Sequence, residues 1–201
     1  TLPVVVDEGR KVINNVERVS NLFVTKAVYA VLLTLVIGIL GDPFPFLPRQ
    51  LTLIGTFSIG VPGFFLALAV ELGRVRDGFL KRVLSFSVPA GVIAGTMSMA
   101  VFVYVRDAIG LDVARTMTTL TLLVVGLVVL VVTSRPIAPW KLLLAGSMAA
   151  FYAAIVAIPT LRTYFDLDLP SGQTGGSILL CGALGVAGGA PAPFECGLVV
   201  G

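Results

Sequence analysis

A lysine inside one apolar run and a proline inside another mark where this sequence could do chemistry. Lys26 lies in the run 22–40, which is otherwise apolar enough to cross a bilayer. Holding an ammonium in such a segment costs about 2.5–3.5 kcal/mol on insertion scales, so the group normally faces the protein interior and an ion or proton path. The competing reading is a side chain that snorkels to the interface, because Lys26 sits in the first turns of its run. In the second run, Pro62 lacks an N–H, and in an α-helix it releases the carbonyl of Ser58 while Gly60 and Gly63 loosen the backbone. Transporters use carbonyls freed at membrane depth to hold ions, and a simple packing kink is the equal alternative from these residues alone. Pro89 and Pro159 fall near the ends of their runs and read as packing features. The lysine-bearing run reads as part of a transporter.

The elements that must position these groups are membrane helices. Apolar runs at 22–40, 51–70, 83–105, 116–133 and 140–161 each approach the roughly 20 residues needed to span a hydrocarbon slab about 30 Å thick. A sixth run, 177–189, is short and rich in glycine and alanine, and either spans or re-enters. Its Gly185 and Gly189 have the spacing of a close helix approach. Turn-rich connections at 41–49, 71–82, 106–115, 134–139 and 162–176 separate the runs. Arg10, Lys11, Arg18, Arg74, Arg76, Lys81, Arg82, Arg135 and Lys141 fall on one side of the resulting topology, against Arg49, Arg106, Arg115 and Arg162 on the other. The excess of lysine and arginine on cytoplasmic loops then predicts a cytoplasmic N-terminus. Trp140 beside Lys141 reads as an interfacial anchor, Asp166 and Asp168 as solvated loop charges, and Asp107 and Asp112, among Arg106 and Arg115, as a neutral loop.

Composition narrows the function class. Hydrophobic residues are 57% and charged residues 12% of the 201, too few charges to cover a water-facing surface. A formal charge of +3, scattered along the chain, gives no footprint for nucleic acid. Histidine is absent, and Cys181 and Cys196 form no CxxC pair, which argues against a structural zinc site. The chain starts at Thr1 with no leader-like n-region, so a fragment or truncated product is expected. The expected fold is an all-α integral membrane protein, a bundle of five to six transmembrane helices with the first extended into a cytoplasmic stalk. The N-terminal stretch supports that extension. Val12, Val16, Val19 and Phe23 recur at helical spacing, and nothing between Gly9 and Leu40 breaks a helix.

The string EGRKVINNVERVSNLFVTK, with Glu8, Gly9 and Arg10 followed by Asn14 and Asn15, resembles the junction of P-type ATPases where the phosphorylation domain runs into the fifth membrane helix. RQLTLIGTFSIGVPGFFLAL, residues 49–68, resembles the family's sixth helix, with Gly60-Val61-Pro62 in place of Gly-Leu-Pro. The wider pattern, over about residues 1–165, is most similar to the actinobacterial cation-transporting ATPase E type. The resemblance implies the membrane-transport half of an ATP-driven cation pump in a bacterial plasma membrane. Residues 1–21 would end the phosphorylation domain and form the stalk, 22–169 the bundle, and 170–201 an atypical tail with the weak sixth span. It implies as partners the lipid bilayer, the transported cation and the missing N-terminal half of the pump. ATP and magnesium are expected for the full-length parent, with no cofactor and no catalytic residue in this chain. The DKTGT, TGE and GDGxND motifs of the family are absent from it. A self-standing channel, passive carrier or scaffold is the alternative.

The family's calcium-site positions on these two helices map to Ala27, Ala30, Gly55 and Ile59, none with a side-chain oxygen. A hard cation wants six to eight oxygens, so a standard calcium site from these helices is not expected and the metal is open. The ion-path candidates are Lys26, Thr25, Tyr29, Thr52, Thr56, Ser58, Gly60 and Pro62. Glu8, Gly9, Arg10, Asn14 and Asn15 are the coupling candidates in the stalk. Lys26 follows a threonine, as in the family's acid-secreting pumps, which implies an internal counter-cation. The match to the sixth helix favours the ion-path reading of Pro62. Two features depart from the family: the segment 69–75 lacks the Pro-Asn dipeptide expected there, and the tail lacks a clear last helix.

Overall fold

The computed structural model describes residues 2–68, 78–134 and 138–169. The possible sixth span and tail, Arg74, Arg76 and Arg135, and the side chains of Glu8, Arg10 and Asn14 lie outside the described ones. Helix α1 runs Leu2–Leu40 without a break, 39 residues or about 58 Å at the usual rise. Gly41 stops it at φ 70°, a left-handed conformation that glycine adopts without strain, and donates back to the Ile37 carbonyl. The second span has three parts: α2, Pro48–Gly55; a π-helical turn, Thr56–Gly60; and α3, Val61–Ala67. Then come α4, Phe79–Ala108, and α5, Leu111–Thr133, joined by Ile109 and Gly110 alone. Gly110 turns the chain there at φ 140°. Helix α6 covers Pro139–Ala157 and the short α7 Pro159–Phe165.

The described residues contain five helical stretches long and apolar enough to cross a membrane, as expected for an all-α membrane bundle. The expected bounds shift in three places. The third span starts at Phe79, so Pro89 stands inside a continuous helix, not near its end. The fifth stops at Ala157, not at 161. Pro159 forces its predecessor Ile158 into an extended conformation (φ −91°, ψ 114°), and α7 begins anew. The second opens at Pro48, which takes the first helical position where its missing N–H costs nothing.

Helix α5 is the hub. It touches α1, α2, the π turn, α4 and α6, and 67% of its apolar stretch is buried against 22% for that of α1. Apolar lipid gives helices no hydrophobic reason to associate, so close van der Waals fit must hold them. The α1–α4 seam shows how. A Cβ on Gly91 would lie 2.6 Å from the Val28 Cβ and 2.9 Å from the Thr25 carbonyl; one on Gly95 would lie 3.0 Å from Leu32. This Gly91–Gly95 pair has the small-xxx-small spacing that sequence reading had noted only at 185–189.

Polar contacts close both ends of the bundle. Well inside α1, the Asn15 amide donates to the Ala67 carbonyl at 3.0 Å, capping α3. Nearby, the Ser87 hydroxyl donates to the Asn21 carbonyl at 3.2 Å. Lys141 is buried and donates to the Ser134 carbonyl at 2.9 Å, at the end of α5. At the opposite end, the fully buried Gln50 accepts from the Leu47 N–H and the Thr119 hydroxyl, and donates to the Asp166 carbonyl. The loop carboxylates stay largely exposed, Asp107 at 63% and Asp166 at 50%. Arg106 pairs with Asp42 at 2.6 Å and Asp107 at 2.9 Å, and the Asp168 N–H donates to Thr116 Oγ1.

Candidate ion path at a broken helix

Helix α1 presents Thr25, Lys26 and Tyr29 toward the second span and α5, since Tyr29 lies one turn on from both Thr25 and Lys26, four and three residues away. Lys26 lies 11 residues beyond Asn15, where the first apolar stretch begins, and 14 before Leu40, where it ends. Glu17, Arg18 and Asn21 open that stretch, so within the apolar run 22–40 Lys26 keeps its place in the first turns. The amine points inward: a carbon added at Gly55 would sit 3.1 Å from Nζ. Among the described residues, no carboxylate pairs with it.

Two small cavities meet at this side chain. One, of about 20 Å³, is bounded by Leu22, Thr25, Ser58, Ile59 and Val129 together with Lys26 and Tyr29. The other, of about 60 Å³, extends from Lys26 and Tyr29 toward Phe44, Phe46 and Leu51, at the opposite end of the span. One water needs roughly 10–15 Å³, so the first has room for one and the second for several. Lys26 and Tyr29 stand between them.

The second span is broken beside the amine. Across the π turn, the Val61 N–H reaches the Thr56 carbonyl five residues back. Pro62 follows with no N–H, so in this register the Phe57 carbonyl has no main-chain donor, whereas an α-helical count points to Ser58. The Tyr152 hydroxyl, from α6, donates to that Phe57 carbonyl at 3.1 Å. It also lies 3.3 Å from the Ser58 hydroxyl. Phe151 stacks on Phe57 with ring centres 4.0 Å apart. Gly126 of α5 admits Ser58: a Cβ there would be 2.9 Å from the serine's Cβ and Oγ.

The comparisons with known proteins agree with this architecture. The chain is 40% identical over 205 residues to the calcium-transporting ATPase CtpE of Mycolicibacterium smegmatis, covering 94% of this chain and 26% of that protein. It is 38% identical over 202 residues to the calcium-transporting ATPase CtpE of Mycobacterium tuberculosis, covering 93% and 25%. The chain is C-terminal membrane part of a P-type ATPase. It spans about a quarter of the length of the curated relatives it matches. A more distant relative, named a probable cation-transporting ATPase, exp7, of Streptococcus pneumoniae, is 24% identical over 183 residues, covering 86% and 23%. No family model and no solved structure matches the chain.

Within this P-type ATPase region, the structure brings four of the candidates together: Thr25, Lys26, Tyr29 and Ser58 line one cavity. Thr25 already donates to the Asn21 carbonyl at 2.7 Å, which leaves its oxygen as an acceptor. Pro62 is buried just beyond, while Thr52, Thr56 and Gly60 lie on the exposed face of the second span. Of the stalk residues, Asn15 is buried against α3 and Gly9 is exposed. Sequence reading missed Tyr152, Gly126 and Gln50. Gly126 carries a signal, as the one glycine in the run 120–132; Tyr152 carries none beyond being a hydroxyl in an apolar helix. The described residues hold no group of three or more metal-ligating histidine, cysteine or acidic side chains.

Proposed function

We propose that this chain forms the ion-conducting side of an ATP-driven cation pump, joined to an N-terminal part that binds magnesium–ATP and carries the phosphorylated aspartate. The supporting observation is the Lys26 amine, held inside the bundle between two cavities with room for water and beside a proline-broken turn. In this reading the cation passes along the Thr25, Tyr29 and Ser58 oxygens, and the fixed ammonium repels it from the path once the site must empty. The ligands offered here are hydroxyl oxygens, so any carboxylate charge comes from the N-terminal part. The lysine and arginine asymmetry supports a cytoplasmic N-terminus, with α1 as the rod that links the two parts. The names of the relatives make calcium the first cation to test.

The test is cation-dependent phosphoenzyme formation by the complete pump, titrated with calcium, manganese and potassium. One of these activates the wild type, and Lys26→Ala abolishes or strongly shifts that activation. An unchanged Lys26→Ala curve removes the lysine from the mechanism.

A further inference from the structure

We propose that Tyr152 is a positioning residue for the cation path: its hydroxyl replaces the hydrogen bond that Pro62 cannot make, and turns the Ser58 oxygen toward the Lys26 cavity. The inference rests on the cation-pump reading above and adds to it a residue from a helix that does not line the cavity. A π turn persists where its surroundings specify it, and at membrane depth a bare carbonyl needs a donor. Here the main chain has none to give, because the partner position is Pro62.

Proton bookkeeping assigns the directions. A carbonyl only accepts, so the single Tyr152 O–H is committed to Phe57. The 3.3 Å contact between Tyr152 and Ser58 must then run from the serine hydroxyl to the tyrosine oxygen. Ser58 has given away its only proton and offers lone pairs alone. It lines the cavity, and those lone pairs are what a cation requires. Phe151, stacked on Phe57, holds the α6 backbone against the same turn. Gly126 leaves the serine room, since a Cβ there would lie 2.9 Å from its Cβ and Oγ.

The experiment uses the complete pump and reads half-activating cation concentration and maximal phosphoenzyme separately, for calcium, manganese and potassium. Tyr152→Phe keeps the ring and removes the hydroxyl, and it weakens apparent affinity about tenfold with the maximum unchanged. Ser58→Ala gives the same loss, and it serves as the reading if Tyr152→Phe does not accumulate. In a Pro62→Ala background, which restores an N–H to the turn, Tyr152→Phe has little further effect, because both changes act on one hydrogen bond. Unchanged affinity in Tyr152→Phe or Ser58→Ala, or additive effects of Pro62→Ala and Tyr152→Phe, overturns the inference while leaving the pump intact. A wild type that none of the three cations activates overturns the pump reading, and this inference with it.

Discussion

Glu17 and Arg82 meet in a two-point ion pair, Nε to Oε1 at 2.9 Å and Nη2 to Oε2 at 2.7 Å, between the middle of α1 and the first turn of α4. Both side chains are about three-quarters covered, at 22% and 28% exposure, so solvent screens the pair only in part. It joins the long rod to the rest of the bundle one turn from the Asn15 amide on the Ala67 carbonyl. Planar two-point geometry makes this a stronger contact than a single-point ion pair. Glu17→Gln is expected to cost about 1 kcal/mol of stability in detergent, by denaturant titration. Combined with Arg82→Gln, the losses should be clearly less than additive; full additivity means the pair contributes nothing.

The α1–α4 seam should rank substitutions by what a new methyl meets. Gly91→Ala presses on the Val28 Cβ and the Thr25 carbonyl, which cannot swing away, and is expected to cost about 1–3 kcal/mol. Gly95→Ala meets mainly the flexible tip of Leu32 and should cost less. Gly146→Ala meets nothing within 4 Å and should be neutral or slightly stabilising, as alanine is the better helix former. Thermal midpoints in one detergent give the order, and any other ranking contradicts the seam.

Gln50 holds the far end together through three partners on three separate segments. Gln50→Leu keeps the volume and strands the Leu47 N–H, the Asp166 carbonyl and the Thr119 hydroxyl. The expected loss is about 2–3 kcal/mol, with faster hydrogen exchange at the end of α7. The exposed Arg49–Asp166 pair at 3.9 Å is the contrast, and Arg49→Gln should change stability by less than about 0.5 kcal/mol.

Filling the space around the amine should act like removing it. Gly55→Leu puts carbon where Lys26 Nζ now lies and is expected to lower cation-stimulated phosphoenzyme formation in the complete pump by about tenfold, an effect of about 1.4 kcal/mol. Gly126→Ala pushes Ser58 instead and should weaken cation affinity while sparing the maximum. Normal activation in both variants would show that the cavity is not on the path.

Spans, continuity and membrane residence were legible because each depends on local composition. The apolar runs show where chain enters lipid, and an unbroken stretch from Gly9 predicted the single rod Leu2–Leu40. Pro62 was legible as a break but not in its register. An α-helical count frees the Ser58 carbonyl; the π turn shifts the loss to Phe57, whose donor lies 95 residues away. Pro159 looked like the end of a span, and its effect on Ile158 makes it a boundary between two helices.

From the residues in order, one could derive the number of crossings up to Ala157, a charged group in the first and a weakened backbone in the second. Insertion energetics and backbone hydrogen bonding are settled within a few neighbouring residues. Tertiary packing alone decided that the amine faces Gly55, that Tyr152 satisfies the proline's orphan, and that glycines at 91, 95 and 126 are contact points. Those outcomes depend on how helices rotate and slide against one another, and residues tens of positions apart set that jointly.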